Sequence, residues 1–380
     1  SLRPKAVKSL TPLSSRERVS RALRFERPDR TPRDFAAVPA VWQRLEEHFR
    51  TTDREAVLRR LKADCRVVSY DRFCRHPDDP AADMPAAPGS APAGGLWQRT
   101  EPDGASRDIW GVRRRRVKAA CAEYEHFASH PLADAESLDD LKAYRWPSPD
   151  WWNFDGLARC IGTLNEHGPF HIRYRVGSVF ETAWSLAGFE KFLVDLLSRP
   201  ALPVYIMERI TEVHVENLRR ALALAGDGID LVYFYDDLGA ATGPLIGPEL
   251  YRRRIQPFHQ RIIDVAAAHG KPVMLHSCGS VHGLIPRWID MGVRVLNPIQ
   301  PLARNMEPER LAADFGGRIA FHGGIDIQRL LPGAGAAEVR ERVARVSEIL
   351  GAEGGYIMAG SHHLQADTPL ANVLAMYDAG

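Results

Sequence analysis

The chain has 380 residues, 45% of them hydrophobic, enough for one large α/β barrel or two ordinary domains and too apolar for a disordered chain. Fifty Lys and Arg stand against 48 Asp and Glu, a net charge of +2 with His neutral, so there is no strong pull toward nucleic acid or an anionic membrane. No apolar run approaches the ~20 residues that span a bilayer. Ser1 to Pro12 lacks the apolar segment of a secretory signal. The five cysteines, Cys65, Cys74, Cys121, Cys160 and Cys278, are odd in number and contain no Cys-x-x-Cys. A disulfide framework is not expected, and a reducing cytoplasm is the expected location.

In chain order, Ser15 to Phe25 reads as an amphipathic helix capped by Ser14 or Ser15, ending before Arg27-Pro28-Asp29-Arg30-Thr31-Pro32. A helix near 53–62 leads into a short strand, Cys65 to Tyr70. Residues 77–95 are dense in Pro, Ala and Gly and read as a long loop or lid. Leu96–Thr100 and Ile109–Val117, joined through Pro102-Asp103-Gly104, read as a β-hairpin. The run Arg113-Arg114-Arg115-Arg116 alternates between strand faces and is expected to be a solvated hairpin face. Trp146, Trp151, Trp152 and Phe154 are expected to pack beneath a Pro-rich connection.

From about 150, strand and helix signals alternate. Strands are predicted at Phe170–Tyr174, Leu231–Tyr235, Val273–His276, Val293–Asn297, Ile319–His322 and Gly355–Met358. Helices are predicted at Pro200–Leu224, Pro248–His269, Glu307–Phe315 and Ala336–Leu350. Repeated β-then-α units imply a parallel sheet with right-handed crossovers. No Gly-x-Gly-x-x-Gly follows any strand, which argues against a dinucleotide-binding doubly wound sheet. The expected fold is a single (β/α)8 TIM-type barrel with an N-terminal extension and a β-hairpin insertion: residues 1–150 supply the N-terminal helices, loop and hairpin, and 151–380 the main repeats.

Active sites of such barrels sit at the C-terminal ends of the strands, and those ends are chemically loaded here. Asp236 and Asp237 follow one strand, His276 and Cys278 the next, then Asn297 and Gln300, then His322 and Asp326, and finally His362 and His363. His276 and Cys278, two residues apart after a buried apolar run, can reach one point, and nitrogen with sulfur favours zinc. One of the two aspartates is expected in the site, Asp236 before Asp237, although either can instead cap the following turn. Of the adjacent His362 and His363 at most one is a ligand. His322 divides between site and packing, and Asp326 reads as a helix cap.

These stretches resemble the uroporphyrinogen decarboxylase-like superfamily over roughly Arg16 to Tyr377. The resemblance is carried by Arg27 to Pro32, Tyr235-Asp236-Asp237-Leu238-Gly239, His276-Ser277-Cys278-Gly279, Leu296-Asn297-Pro298-Ile299-Gln300, Phe321-His322-Gly323-Gly324-Ile325-Asp326 and Ser361 to Pro369. It implies a (β/α) barrel. True uroporphyrinogen III decarboxylases carry an Arg-x-x-Gly-Arg-Tyr block that grips the substrate carboxylates; Arg33 to Pro39 stands there instead, and Arg33 alone does not replace it. The zinc-dependent, corrinoid-linked methyltransferase branch is closer. It implies a zinc ion on His276, Cys278 and His362, where the branch usually has a second cysteine, and Asp236 and His362 as catalytic groups. Asp237, Asn297, Gln300 and His322 are then expected to bind substrate. The same branch implies a small-molecule substrate, a corrinoid held on a separate protein, and a homodimer. The rival expectation is a metal-free decarboxylase or acid/base lyase acting on a small acidic substrate through His362 and Asp236.

Overall fold

The computed structural model describes residues 12–78, 97–119 and 122–378. Seven strands pair in parallel: β1 (Cys65–Ser69), β6 (His171–Gly177), β7 (Leu231–Tyr235), β8 (Val273–His276), β9 (Val293–Ile299), β10 (Ala320–Ile325) and β11 (Tyr356–Gly360). They neighbour one another in chain order, as successive right-handed βα units require. Between β1 and β6 the chain makes a four-stranded antiparallel sheet, β2 (Gln98–Thr100), β3 (Ser106–Asp108), β4 (Arg113–Ala119) and β5 (Ala122–Ser129). The expected hairpin is thus half of a larger unit. Residues 79–95, the greater part of the expected lid, fall outside the described residues, as do Leu96 and Cys121.

The sheet curls, and its inner face shows how. Cys65, Leu231, Met274, Val295, Ala320 and Ile357, one from each strand but β6, form a single buried cluster with Val19 and Leu23. Side chains of first and last strands meet only if the sheet wraps around them. The helix Ser15–Leu23 plugs the N-terminal end, held by a capping box from Ser14 to Glu17. Beneath it the fully buried Asp64 accepts from Ser15 Oγ (2.7 Å), Arg18 (2.7 Å), Arg30 (2.8 Å) and the Arg33 amide (2.9 Å). Asp29 pairs with Arg18 at 2.7 Å. The Arg-Pro-Asp-Arg stretch is therefore an ionic seal at the base of the sheet.

Eight strands were expected, and seven pair among the described residues. No eighth strand is formed by the segment between the helix Ser15–Leu23 and the helix Pro39–Phe49. Pro32 and Pro39 bracket it, and it makes only isolated bridges, Arg33–Met358 to β11 and Ala37–Leu364 to the loop after β11. The Asp34 amide donates to Met358 O (2.9 Å), while Arg33 O accepts from Asp64 N (2.7 Å) just before β1. Helices cover the outer face, where the main hydrophobic core lies. The predicted helix 248–269 is two, Pro248–Arg254 and Gln256–Ala268, because Pro257 has no N–H and its ring disfavours a continuous helix.

Among the described residues, no helix is long and apolar enough to cross a membrane. Of the arginines of β4, Arg115 is exposed and pairs with Asp103, as a solvated hairpin face would have, whereas Arg114 is turned inward onto the buried Asp108. Trp152 and Phe154 are buried, packed against Tyr70 and Phe73.

Candidate functional site

Strand side chains alternate between faces, so the inward positions climb the inside of the curled sheet two residues at a time. Above the apolar layer the next inward residues are Arg173, Arg175, Tyr233, His276, Asn297, His322 and Ala359. With Asp34, Val67, His362 and His363 they line one cavity of about 130 Å³ at the C-terminal strand ends. The step from Met274 to His276, from Val295 to Asn297 and from Ala320 to His322 turns a packed floor into a polar chamber.

At its rim three side chains converge. Ligand atoms of His276, Cys278 and His362 all lie within 4.8 Å of one another. His276 Nε2 and Cys278 Sγ are 3.4 Å apart. Zinc–nitrogen and zinc–sulfur bonds of about 2.05 and 2.3 Å at a tetrahedral angle give an N–S edge of about 3.5 Å, so this pair fits that edge. His362 closes the triangle from the mouth of the cavity, and His363 Nδ1 lies 3.4 Å from His362 Nδ1.

Each member is held in place. His276 Nδ1 bonds Asn297 Oδ1 at 2.6 Å, leaving Nε2 aimed at the triangle. The Cys278 amide donates to Asp237 Oδ1 (2.8 Å) and the Gly279 amide to Gln300 Oε1 (2.7 Å). Gly279 has φ +83°, and a Cβ there would meet Gly239 backbone at 2.5 Å, so only glycine brings the two loops this close. Desolvation lowers the His276 and His362 pKa values, the latter to about 4, so both rings are neutral and carry a free lone pair at pH 7. Desolvation, reinforced by the Asp237 charge, pushes the Cys278 thiol well above its usual range when no cation is near.

The two aspartates have separate places. Asp236 is fully buried and faces away from the triangle. Its carboxylate accepts from the amides of Val179 (3.0 Å) and Glu181 (2.7 Å), at the start of the helix Phe180–Ala187, and bonds His259 Nε2 at 2.7 Å. His259 Nδ1 accepts from Tyr251 (3.1 Å), whose oxygen accepts from Trp288 Nε1 (3.0 Å). Every group in this string has a partner, so the placement gives Asp236 a structural task where a catalytic one was expected. Asp237 is the carboxylate at the triangle, 3.5 Å from His276 Nε2. Gln300 holds a loop, Asn297 holds His276, and Asp326 caps the turn after β10 through the amides of Gln328, Arg329 and Leu330.

Sequence reasoning missed Asp34, Arg173, Arg175 and Glu181. Asp34 bonds His322 Nε2 at 2.9 Å and Arg173 at 2.6 Å. Burial opposes its ionisation, but Arg173 and His322 outweigh that and hold it well below the usual carboxylate range. Glu181 accepts from the Asp237 amide at 2.7 Å; burial and the charges of Asp237 and Asp236 raise its pKa well above normal. One signal for the arginines was present: two charges alternating within the apolar strand His171–Gly177 must be paired if that strand is buried.

The fold agrees with that of a known protein. A methyltransferase from Methanosarcina mazei is 16% identical, with 97% of this chain and 98% of that chain covered and a TM-score of 0.63, which shows a shared fold. Two endo-β-1,4-xylanases of glycoside hydrolase family 10, one psychrophilic and one from Gloeophyllum trabeum, each align over 61% of this chain and 83% and 82% of theirs. Their identities are 8% and 11% with TM-scores of 0.39, too low to bear on this chain. No curated protein matches the sequence. The family model described as uroporphyrinogen decarboxylase (URO-D) matches residues 125–380, about two thirds of the sequence. This chain belongs to the URO-D family.

Proposed function

We propose that this chain is a zinc-dependent methyltransferase-like enzyme that activates a thiol or hydroxyl substrate for methyl transfer to or from a corrinoid protein. The observation that carries the reading is the convergence of His276, Cys278 and His362 on one point at the cavity rim. Zinc held there would supply Lewis acidity that lowers the pKa of the substrate's S–H or O–H. Three protein ligands leave a fourth position for substrate, the pattern of catalytic rather than structural zinc. The chain's own residues do the rest. Asn297 fixes the His276 ring, Asp237 and Gln300 pin the Cys278 loop, and Asp237 stands beside the triangle as acceptor for the substrate proton. The structural likeness to a methyltransferase supports the reaction class.

The second reading is metal-free decarboxylation or proton transfer on a small acidic substrate, with His362 as acid/base. Arg173 and Arg175 in the cavity wall favour it. Asp34 already neutralises Arg173, and the zinc reading uses all three members of the triangle. The deciding experiment is metal content by mass spectrometry of protein purified without added metal, beside Cys278→Ala. About one zinc per chain, lost in the variant, together with thiol-dependent demethylation of methyl-cobalamin, supports the proposal. No zinc in either protein after zinc is offered overturns it in favour of the second reading.

A further inference from the structure

A line of side chains leads from the triangle to a buried ion pair on the far side of the cavity: His276, Asn297, His322, Asp34 and Arg173. From the proposed zinc site inward, we infer that Asp34 is a positioning residue that sets which nitrogen of His276 carries its proton, and so makes Nε2 a ligand. The inference rests on the zinc reading, but its first link is testable without metal.

Each hydrogen bond in the line has a direction, and the directions follow from one end. Arg173 donates to Asp34 Oδ2 at 2.6 Å, so Asp34 is an anion and can only accept. His322 Nε2 lies 2.9 Å from the same oxygen and must therefore carry hydrogen. Arg173 and His322 Nε2 are 3.3 Å apart. That contact is the longest of the three, and the anionic Asp34 oxygen, nearer to both groups, is the acceptor that decides where the His322 hydrogen sits. With hydrogen on Nε2, the neutral His322 ring has its lone pair on Nδ1, and its partner must donate. That partner is Asn297, whose Nδ2 faces it. The Asn297 amide is now oriented, and its Oδ1 faces His276 Nδ1 at 2.6 Å. An amide oxygen only accepts, so His276 Nδ1 carries hydrogen and Nε2 presents a lone pair toward Cys278 Sγ, 3.4 Å away.

The same atoms with every bond reversed would place hydrogen on His276 Nε2 and block ligation. What forbids reversal is the acceptor-only carboxylate at the far end, which touches none of the three ligands. Partners beyond the ligands commonly change metal affinity 10–100-fold. Here the effect would travel through two intermediates, and the chain offers a double-mutant cycle to detect it. Asp at 297 has acceptor oxygens on both sides, so Asn297→Asp fixes the His276 tautomer whatever stands behind it.

The test measures zinc affinity by chelator competition, and the His276 tautomer in metal-free protein by ¹⁵N NMR of the imidazole nitrogens. Expected is hydrogen on His276 Nδ1 in the parent. His322→Leu should weaken zinc by about 10–100-fold and populate the other tautomer. Asp34→Ala/Arg173→Met, which removes the buried pair together so that no charge is stranded, should do the same. In the Asn297→Asp background both changes should cost nothing. Equal losses in the two backgrounds, or hydrogen on His276 Nε2 in the parent, would overturn the inference. A parent that takes no zinc but shows the expected tautomer leaves the positioning chain standing and removes only the zinc reading. Should one variant fail to fold, the other and the parent's NMR signature still decide.

Discussion

Removing the Asp236 carboxylate separates a structural from a chemical reading of the paired aspartates. In Asp236→Ala three donors lose their acceptor: the amides of Val179 and Glu181 and the Nε2–H of His259. Asp236 and His259 are both 0% exposed, so water does not take its place. At about 1–3 kcal/mol per stranded buried donor, three of them cost about 5 kcal/mol. That is a large part of the about 5–15 kcal/mol a domain has. At roughly 1.3 °C per kcal/mol for a chain of this size, the melting temperature falls by about 6 °C. Asp237→Ala is different. Its side chain is 43% exposed and accepts from the Cys278 amide and thiol. Its loss costs about 1 kcal/mol but frees the Cys278 loop. Differential scanning calorimetry with zinc analysis on both variants makes the comparison. The expected result is a large melting shift with zinc retained below the melt for Asp236→Ala, and a small shift with zinc and methyl transfer impaired for Asp237→Ala. An Asp236→Ala protein that melts like the parent and has lost only activity would refute the reasoning.

The remaining predictions concern groups whose environments are equally specific. His214 is fully buried and donates to Ser178 O at 3.0 Å; desolvation lowers its pKa from 6.5 to about 4. The folded state keeps this ring neutral where the unfolded chain binds a proton, so its contribution is present above pH 6.5 and is lost as pH falls toward 4. At 1.36 kcal/mol per unit that is about 3 kcal/mol, and urea titrations of His214→Gln should show a pH profile flatter by that amount between those limits. Asp64→Asn removes the anion that Arg18 and Arg30 share at the base of the sheet and leaves Arg18 with Asp29 alone; a loss of about 3 kcal/mol in urea unfolding is expected, and a neutral substitution would contradict the ionic seal. Gly279→Ala must leave φ +83° or displace Gly239. It should cost about 1–3 kcal/mol and weaken zinc binding by moving Cys278, with unchanged affinity refuting the close approach.

Much of the fold was legible because buried parallel strands are short apolar runs and the helices between them have their own period. Leu231–Tyr235 and Val273–His276 were read at the observed bounds, and Val293–Ile299, Ala320–Ile325 and Tyr356–Gly360 to within three residues. Ser106–Asp108 escaped because it is three polar residues, and Ala122–Ser129 because the alternation of Ala122-Glu123-Tyr124-Glu125 breaks at His126-Phe127. The triangle was legible as residue types at strand ends. Which aspartate serves it was not, since neighbouring residues on a strand end point to opposite sides and the outward one is claimed by His259, 23 residues later. Asp34 escaped for the same reason on a larger scale. Its partners Arg173 and His322 lie 139 and 288 residues away.

A curled parallel sheet imposes this division of labour on its residues. Each strand contributes inward side chains at fixed heights, so chemistry is built by layers across strands and not by runs along one. The lower layer, Leu231, Met274, Val295 and Ala320, excludes water. The layer above receives His276, Asn297 and His322 from three successive strands, two residues higher on each. Side chains at one height on neighbouring strands are within hydrogen-bond reach, which is why the line from Asp34 to His276 runs around the sheet. A polar layer resting on an apolar one has little water with which to exchange partners, so each bond direction is fixed by its neighbour. The extended segment carrying Asp34 supplies the anion at the end of that line. It lies beside β11, between the last strand and the first, where it is also the counterion of the buried Arg173. The buried carboxylate carries a desolvation cost that its bonds to Arg173 and His322 outweigh, and those two bonds fix the end of the line that orients His276.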